Sequence, residues 1–399
     1  MTHRSGRHFL QIPGPTNVPD RVLRAMSAPT IDHRGPAFRE LTGEVLERIG
    51  SVVGTNQPVV LYPASGTGAW EAALANALSP GDRVLMAETG HFARLWREIA
   101  LRLGLAPTFL PGDWRHPVDA GAIEAHLAED ADRTIKAVCV VHNETSTGVT
   151  SDIASARRAI DAVGHPALLM VDTISSLASI DYRHDEWGVD VTVGASQKGL
   201  MLPPGLSLNA VSEKARAAAE SATLPRSYWE WSPIIGANAN GLFPYTPPTN
   251  LLYGLREALR MLDDEGMPNV FARHDRHAEA TRRAVRAWGL DLLCLDETAY
   301  SSSITAVMTP PAYDANVLID TVLGRFDMSL GIGLTKLAGK VFRIGHLGDF
   351  NDLSLMGTLA GIEMGLGLAA IPHQAGGVDA AMTYLAACAQ PAPIETAPA

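Results

Sequence analysis

The stretch VDVTVGASQKG at residues 189–199 decides the fold, because an apolar run of strand length ends there in a small polar turn that carries a lysine. Ligands of open α/β sheets bind at the carboxyl ends of such strands. Lys198, in the turn SQKG, is one of only five lysines in the chain, so few lysines compete for a role in chemistry. Taken alone, Lys198 could still be an ordinary surface lysine.

Two further motifs place polar groups at the ends of predicted strands. Asp172 closes the apolar run PALLMVD, where its carboxylate could pair with a protonated ring nitrogen or could cap the next turn. The tetrapeptide SGTG at residues 65–68 follows PVVLYPA and opens the helical pattern AWEAALANAL. Amides and hydroxyls at a helix start suit a phosphate, although the same residues can act only as a cap. Together with Lys198, these motifs predict one site for a phosphorylated cofactor that the lysine amine anchors covalently.

Apolar runs alternate with helical patterns through the first two thirds of the chain. The runs are PVVLY, DRVLMAE, IKAVCVVHN, PALLMVD and VDVTVGA, and helical segments such as GAWEAALANAL lie between them. This alternation predicts an α/β fold with a mostly parallel sheet that helices cover on both faces. From about Leu251, two long helical stretches precede the runs SSSITAVMTP, DMSLGIG and KVFRIGHLG, which predicts a smaller C-terminal α/β domain.

The same patterns divide the chain into four parts. Residues 1–20 are expected to form an N-terminal segment that contributes to the active site. Residues 21–255 would form the large cofactor-binding domain, and residues 256–390 the small C-terminal domain. Residues 391–399 are rich in proline and alanine, so we predict that they are disordered.

The composition limits the classes of partner. The chain of 399 residues carries 43 acidic and 32 basic side chains, a net charge of -11, and its lysines and arginines form no basic stripe. This disfavours nucleic acid and an anionic membrane surface as partners and favours small molecules. The sequence predicts neither a signal peptide nor a membrane span, since no run of about 20 apolar residues occurs. Three scattered cysteines indicate neither a disulfide framework nor a metal site, so we expect a cytoplasmic protein without a bound metal.

Seven blocks of sequence resemble, in the same order, those of one known family. They are PGPTN (13–17), SGTGAWEAAL (65–74), HNET (142–145), ASQKG (195–199), FPYTPP (243–248), YGLREAL (253–259) and GKVFRIGHLG (339–348). The chain resembles the class V aminotransferases, and within them the serine–glyoxylate and alanine–glyoxylate branch. The resemblance implies the PLP-transferase fold of type I and pyridoxal 5'-phosphate (PLP) as the cofactor.

The resemblance also implies roles for residues around the cofactor. Lys198 would be its covalent anchor and then the proton carrier, and Asp172 would face the pyridine nitrogen. Phe92 would stack on the ring, at a position where many relatives have tryptophan. The remaining cofactor positions are Thr145 near the phenolic oxygen, Gln197 beside the phosphate or the ring hydroxyl, and Ser65, Gly66 and Thr67 around the phosphate.

Further positions would serve the substrate and a partner subunit. Arg343, in VFRIGH, would bind the substrate α-carboxylate, although an arginine on a strand could also be a structural ion-pair partner. Tyr245 and Thr246 would reach the phosphate of the partner subunit, which implies a homodimer with shared active sites. On its own, their segment could be a proline-rich surface loop. The positions expected to bind substrate or to lie near the site entrance are Asn17, His33 and Arg34.

The reaction that the resemblance implies moves an amino group from a small L-amino acid to glyoxylate, giving glycine and a 2-oxo acid. Serine is the favoured donor because of the FPYTPP and HNET blocks. Aspartate is the runner-up and would require a second cation, for which Arg34, Arg94 and His91 are candidates; alanine is a further alternative. A cysteine desulfurase or another PLP lyase is disfavoured because no cysteine lies in a loop rich in glycine and serine. A regulatory protein of this fold would need a fused DNA-binding segment, for which the chain has no spare residues.

Overall fold

A large sheet of seven strands forms the centre of the first two thirds of the chain. The computed structural model describes residues 6–389, so the predicted disordered tail at 391–399 lies outside the described residues. Across the sheet, the strands follow in the order β2 (Val59–Tyr62), β10 (Ser207–Val211), β9 (Val191–Ala195), β8 (Leu168–Asp172), β5 (Ile135–Val141), β3 (Arg83–Ala87) and β4 (Ala106–Leu110).

The prediction of a mostly parallel sheet is confirmed. The pairs β3–β4, β3–β5, β5–β8 and β8–β9 are parallel, whereas β10 runs antiparallel to both β2 and β9. The chain returns from β9 to β10 without a crossover helix, and only an antiparallel neighbour can be reached by such a short connection. Strands β4 and β10 were not among the strands predicted from the sequence.

Helices cover both faces of this sheet, because successive side chains of a buried strand point to opposite sides. Val59 and Leu61 pack into one core, and Val60 and Tyr62 into the other. The helices of this part are α1 (Asp20–Met26), α2 (Pro36–Val53), α3 (Gly66–Ala77), α4 (His91–Arg102), α5 (Ala120–Glu129), α6 (Ile153–Ala162), α7 (Glu213–Ser221) and α8 (Trp231–Asn238). A hairpin of two short strands, β6 (Asn143–Glu144) and β7 (Val149–Thr150), follows β5 at the carboxyl edge of the sheet.

A second sheet has five strands and a core of its own. Its order is β1 (Phe9–Gln11), β13 (Met328–Ile332), β14 (Val341–Gly345), β12 (Ile304–Met308) and β11 (Asp291–Leu292), and only the pair β1–β13 is parallel. Two 3-10 turns also lie in this part, at Glu297–Ala299 and Thr335–Leu337. The helices here are α9 (Thr249–Glu265), α10 (Met267–Ala287), α11 (Ala315–Phe326), α12 (Asp352–Leu368) and α13 (Gly377–Cys388).

Helices α9 and α10 carry the chain from one core to the other. Leu259 and Leu262 of α9 and Val270 of α10 pack in a core of the large sheet, whereas Ala280 and the residues after it pack in the core of the small sheet. The domain boundary expected between residues 255 and 256 therefore falls inside α9. An amphipathic helix shows from its sequence that one face is buried, but not which core buries it.

The N-terminal segment belongs to both parts of the molecule. Its strand β1 is the edge of the small sheet, and the helix α1 that follows the segment packs against α9. Within residues 6–389, the helices are all too short or too polar to span a membrane. The same residues contain no cluster of histidine, cysteine and acidic side chains that could hold a metal ion.

Candidate active site

Eight of the predicted site residues surround one cavity of about 250 Å³ at the carboxyl edge of the large sheet. Parallel strands bring their carboxyl ends to one edge, so the residues that follow β2, β8 and β9 meet there. The predicted residues in the wall are Ser65, Gly66, Thr67, Phe92, Thr145, Asp172, Gln197 and Lys198. Gly14, Pro15, Trp70, Ile174 and Pro204 complete the wall.

Lys198 lies in the turn after β9 with its amine buried. Only 8% of the residue is exposed, and Nζ donates to the carbonyl oxygen of Pro13. Burial, and to a smaller extent the positive charge of Arg343, lower the pKa of Lys198 to about 7, against the opposing effect of Asp172. A lysine with such a pKa is partly neutral at pH 7, which is the form that acts as a nucleophile or accepts a proton.

The N-terminal segment packs directly against this lysine. Thr16 bonds the turn twice, through its amide to the Gln197 carbonyl (3.1 Å) and through Oγ1 to the Lys198 carbonyl (3.1 Å). Gly14 has φ +103°, and a Cβ there would lie 2.4 Å from Lys198 Cδ. The close approach therefore requires glycine at this position.

Asp172 ends β8 and is 4% exposed. Its Oδ1 accepts a hydrogen bond from the Ile174 amide at 2.7 Å. Burial, with a smaller contribution from the charge of Glu144, raises the pKa of Asp172 to about 7, although the hydrogen bond from the Ile174 amide and the charge of Lys198 oppose this. A carboxylate held in this way is well suited to share a proton with a cationic ring nitrogen.

The start of helix α3 forms one end of the cavity. Ser65 is its N-cap, but its side chain makes no capping hydrogen bond, and the helix begins at Gly66. The prediction that SGTG opens a helix after β2 is confirmed. Amides at a helix N-terminus and the helix dipole favour an anion such as a phosphate.

One buried polar atom of the cavity wall, Gln197 Oε1, has no hydrogen-bond partner among the described residues, whereas the indole N–H of Trp70 faces the Asp172 carboxylate. Buried polar groups are nearly always paired, so this wall is built for a ligand with polar groups of its own. A ring with a hydroxyl, a basic nitrogen and a phosphate matches the acceptor of Gln197, the carboxylate of Asp172 and the helix start at Gly66. The residues present therefore fit pyridoxal phosphate.

Phe92 stands near the start of α4 and lines the cavity beside Trp70, with 6.4 Å between the ring centroids. Trp70 is stacked in turn on Trp96, at 6.0 Å and an angle of 14° between the rings. An aromatic cluster thus supports one wall of the cavity. Trp70 belongs to the block SGTGAWEAAL, but its place in the cavity wall was not predicted from the sequence.

Arg343 of β14 is buried beside the cavity, with 6% of the residue exposed. Nε donates to the Ile332 carbonyl (2.9 Å) and Nη1 to the Thr145 carbonyl (2.7 Å). It makes no ion pair with any residue in the described range 6–389. Burial lowers the pKa of Arg343 to about 10, although the charge of Glu144 opposes this. A guanidinium has five N–H donors, so three remain for an anion.

Besides Arg343, which lies beside the cavity, five predicted residues do not line it. Asn17 lines a different cavity of about 510 Å³, and its side chain donates to the Leu10 carbonyl (3.3 Å). In an extended segment neighbouring side chains point apart, so Asn17 faces away when Thr16 bonds the lysine turn. The other four are Tyr245, whose hydroxyl donates to the Leu61 carbonyl (3.1 Å), and Thr246, His33 and Arg34.

Comparison with known proteins agrees with this geometry. The chain is 49% identical to a serine–glyoxylate aminotransferase of Methylorubrum extorquens, over 96% of this chain and 97% of the relative. It is 46% identical to an L-aspartate–glyoxylate aminotransferase of Paracoccus denitrificans, over 94% and 95% of the two chains. Among solved structures, ureidoglycine–glyoxylate aminotransferase of Bacillus subtilis superposes with a TM-score of 0.88 at 27% identity, over 97% of this chain and all of that one.

The family description Aminotransferase class-V matches residues 8–319, well over half of the chain. The resemblance read from the seven blocks is therefore confirmed, as is the expected PLP-transferase fold. A cysteine desulfurase of Thermococcus onnurineus shares only the fold, at 14% identity and a TM-score of 0.71. This protein belongs to the class-V aminotransferase family and is a transaminase that uses pyridoxal phosphate.

Proposed function

We propose that this chain is a serine–glyoxylate aminotransferase, which takes the amino group of L-serine and gives it to glyoxylate, forming glycine and a 2-oxo acid. The serine–glyoxylate aminotransferases of Methylorubrum extorquens, Arabidopsis thaliana and Hyphomicrobium methylovorum are 45–49% identical to this chain over at least 90% of its length. The relative from Paracoccus denitrificans makes aspartate the second candidate donor.

Serine is favoured as the donor because few cationic side chains lie at the cavity. Among the described residues, Lys198 is the one cationic side chain in the cavity wall, and Arg343 stands directly beside it. Arg343 can bind one carboxylate, which serine and glyoxylate each have. Aspartate has a second carboxylate, and an unpaired buried carboxylate is costly.

The three candidates for a second cation do not meet this need within one chain. Arg34 and Arg94 are exposed, and neither lines the cavity. Burial lowers the pKa of His91, so its ring is neutral at pH 7, and His91 is not part of the wall either. This arrangement favours a donor with a small uncharged side chain.

The residues of the chain would divide the work as follows. Pyridoxal phosphate, when bound, supplies an electron sink for the negative charge that develops at the substrate Cα. Asp172 would hold the proton of the ring nitrogen, and Arg343 would orient the substrate through its carboxylate. The amine of Lys198, neutral in part because of its lowered pKa, would anchor the cofactor and then carry the Cα proton. The phosphate would be held by Ser65, Gly66 and Thr67, and the ring by Phe92, Thr145 and Gln197.

We also propose that the active unit is a homodimer in which Tyr245 and Thr246 reach the partner's phosphate site. Neither residue lines the cavity of its own chain, and Thr246 is exposed. Tyr245 is stacked on Tyr228 at 4.8 Å between ring centroids, which stiffens its loop.

His33 and Arg34 keep their proposed place near the site entrance, and Asn17 a proposed role near the substrate. The proposed compartment is the cytoplasm, in keeping with three free cysteines.

The donor is tested by following the visible absorbance band of the bound cofactor while one amino acid is added without acceptor. L-Serine is expected to remove the band faster than L-aspartate or L-alanine at equal concentration, and glyoxylate is expected to restore it. Faster loss with aspartate would transfer the assignment to the second candidate. Loss of the band with none of the three donors would contradict the proposed substrates.

A further inference from the structure

Glu144 is a fully buried carboxylate of the hairpin strand β6, and none of its surface is exposed. It makes no ion pair with any residue in the part of the chain that the structure describes. Burying a charge without an ion pair is costly unless strong hydrogen bonds satisfy it. The bonds that Glu144 makes therefore indicate what the residue does.

The carboxylate of Glu144 caps the start of helix α4. Oε1 accepts from the Phe92 amide (3.3 Å), and Oε2 accepts from the Ala93 amide (3.1 Å). Oε1 also accepts from the amide (3.0 Å) and the hydroxyl (2.7 Å) of Ser146, whose Oγ in turn accepts from the His91 amide (2.9 Å). Three successive amides at the helix start are thus satisfied from outside the helix, where the helix dipole favours a negative charge.

Helix α4 has no side-chain cap of its own, and this leaves room for the carboxylate. Its N-cap position is Gly90, which has no side chain to offer. A Cβ at Gly90 would lie 2.3 Å from Glu144 Cγ and 2.5 Å from Ser146 Oγ. Any larger residue there would push the carboxylate and the helix start apart.

Both ends of this contact lead into the active site. On the helix side, Phe92 lines the cofactor cavity. On the hairpin side, Thr145 follows Glu144 directly and lines the same cavity, and its carbonyl oxygen accepts a hydrogen bond from Arg343 Nη1 at 2.7 Å. One buried carboxylate thus joins the wall that carries the aromatic ring to the segment that holds the guanidinium.

We propose that Glu144 is a positioning residue that sets the distance between the Phe92 ring and the Thr145–Arg343 pair across the cofactor cavity. This inference rests on the cofactor and substrate roles proposed above for Phe92 and Arg343. When the hydrogen bonds of Glu144 are weakened, the Phe92 ring shifts relative to Thr145 and Arg343. The affinities for the cofactor and for the substrate therefore fall together.

The test is Glu144→Gln, which keeps the shape of the side chain and removes its charge. Its single acceptor oxygen can serve only one of the two carboxylate positions, so an NH₂ group must face an amide or the Ser146 hydroxyl. Hydrogen bonds to a charged group are the strong ones, so we expect the dissociation constant of pyridoxal phosphate to rise about ten- to a hundredfold. The visible circular dichroism of the bound cofactor should change as well, because it reports the ring's surroundings.

Glu363→Gln is the matched control. The Glu363 carboxylate caps the start of α13 in the same way, accepting from the amides of Gly376 (3.0 Å) and Val378 (2.9 Å) and from Trp288 Nε1 (2.8 Å), far from the cavity wall. Both variants should lose thermal stability. Only Glu144→Gln should weaken cofactor binding, measured by equilibrium dialysis of the full-length holoenzyme, and raise the KM for the amino donor.

Ser146→Ala provides a second variant that keeps the charge and loses one of the four bonds to Glu144, together with the bond to the His91 amide. It should change the same dissociation constant in the same direction by a smaller factor, even if Glu144→Gln does not fold. The proposal is overturned if the affinity and the circular dichroism of the cofactor stay at wild-type values in the folded variants, or change equally in Glu363→Gln. A wild-type enzyme that binds the cofactor but does not use serine would refute the proposed function. The effect of the variants on cofactor affinity could still be interpreted in that case.

Discussion

Replacing Arg343 is the most direct way to ask whether the buried guanidinium is the carboxylate receptor. Arg343→Gln removes the positive charge at nearly constant length, and Arg343→Lys keeps the charge but loses the planar fork. The guanidinium already uses two donors on the Thr145 and Ile332 carbonyls and keeps three for an anion. Both substrates present one carboxylate to this group, so each variant should affect serine and glyoxylate alike.

The size of the effect follows from the burial of the pair. Removing one partner of a buried ion pair costs about 3 to 5 kcal/mol, which lowers kcat/KM by about a hundred- to several-thousandfold in Arg343→Gln. Loss of one charge-assisted hydrogen bond in Arg343→Lys costs about 1.5 to 3 kcal/mol, or about ten- to a hundredfold. A structural ion-pair partner would instead lower stability and leave kcat/KM per folded molecule unchanged.

The assay is steady-state kinetics with serine and glyoxylate varied in turn, alongside the visible absorbance of the bound cofactor and the thermal midpoint. Arg273→Lys is the control, because Arg273 also bonds two backbone carbonyls, those of Gly348 (2.9 Å) and Phe350 (3.2 Å), and lies outside the cavity wall. It should leave both KM values unchanged. If Arg343→Gln retains kcat/KM within about threefold of the wild type for both substrates, the reasoning about this residue is refuted.

Three further outcomes are expected. Asp172→Asn cannot share the ring-nitrogen proton, so kcat for the full reaction should fall at least about a hundredfold, and single-turnover absorbance that decays at the wild-type rate would contradict this. A variant with Tyr245→Phe and Thr246→Val, co-expressed with inactive Lys198→Ala, should form mixed dimers that regain one complete site; activity no higher than the sum of the two parents would argue against shared sites. Stability should fall between pH 7 and pH 5.5, because burial lowers the pKa of four histidines to about 3 or 4, well below about 6.5 in the unfolded chain. The unfolded state then binds more protons than the folded state, which lowers the free energy of unfolding by about 1 kcal/mol per histidine. The raised pKa of Asp172 offsets part of this loss. An equal free energy of unfolding in urea at both pH values would exclude this. The four histidines are His142, His184, His274 and His277.

The sequence predicts most strongly what depends on local pattern. The buried runs that become β2, β5, β8 and β9 are continuous apolar stretches, so their existence and their parallel order follow from alternation with helices. Parallel strands end at one edge, which is why Asp172 and Lys198 could be expected to meet before their contacts were seen. The start of α3 at Gly66 follows from the same reasoning.

Features that depend on distant partners could not be predicted in this way. No periodicity tells that β10 inserts antiparallel between β2 and β9, or that β1 joins the small sheet. Glu144 belongs to the block HNET, but its role could not be predicted, because its partners on α4 lie about 50 residues away in sequence. The available signal in the sequence was a glutamate directly before Thr145, a residue of the predicted site.

The pairing of β1 with β13 has a consequence for the order in which the enzyme is completed. Phe9 of β1 pairs with Met328 of β13, so β1 is synthesised more than 300 residues before the strand with which it pairs. Until β13 has been synthesised, β1 has no strand of the small sheet to pair with, although the segment that follows it contacts Lys198 through Pro13. Chains truncated before β13 should therefore be inactive, because the strand that leads to Pro13 has no partner.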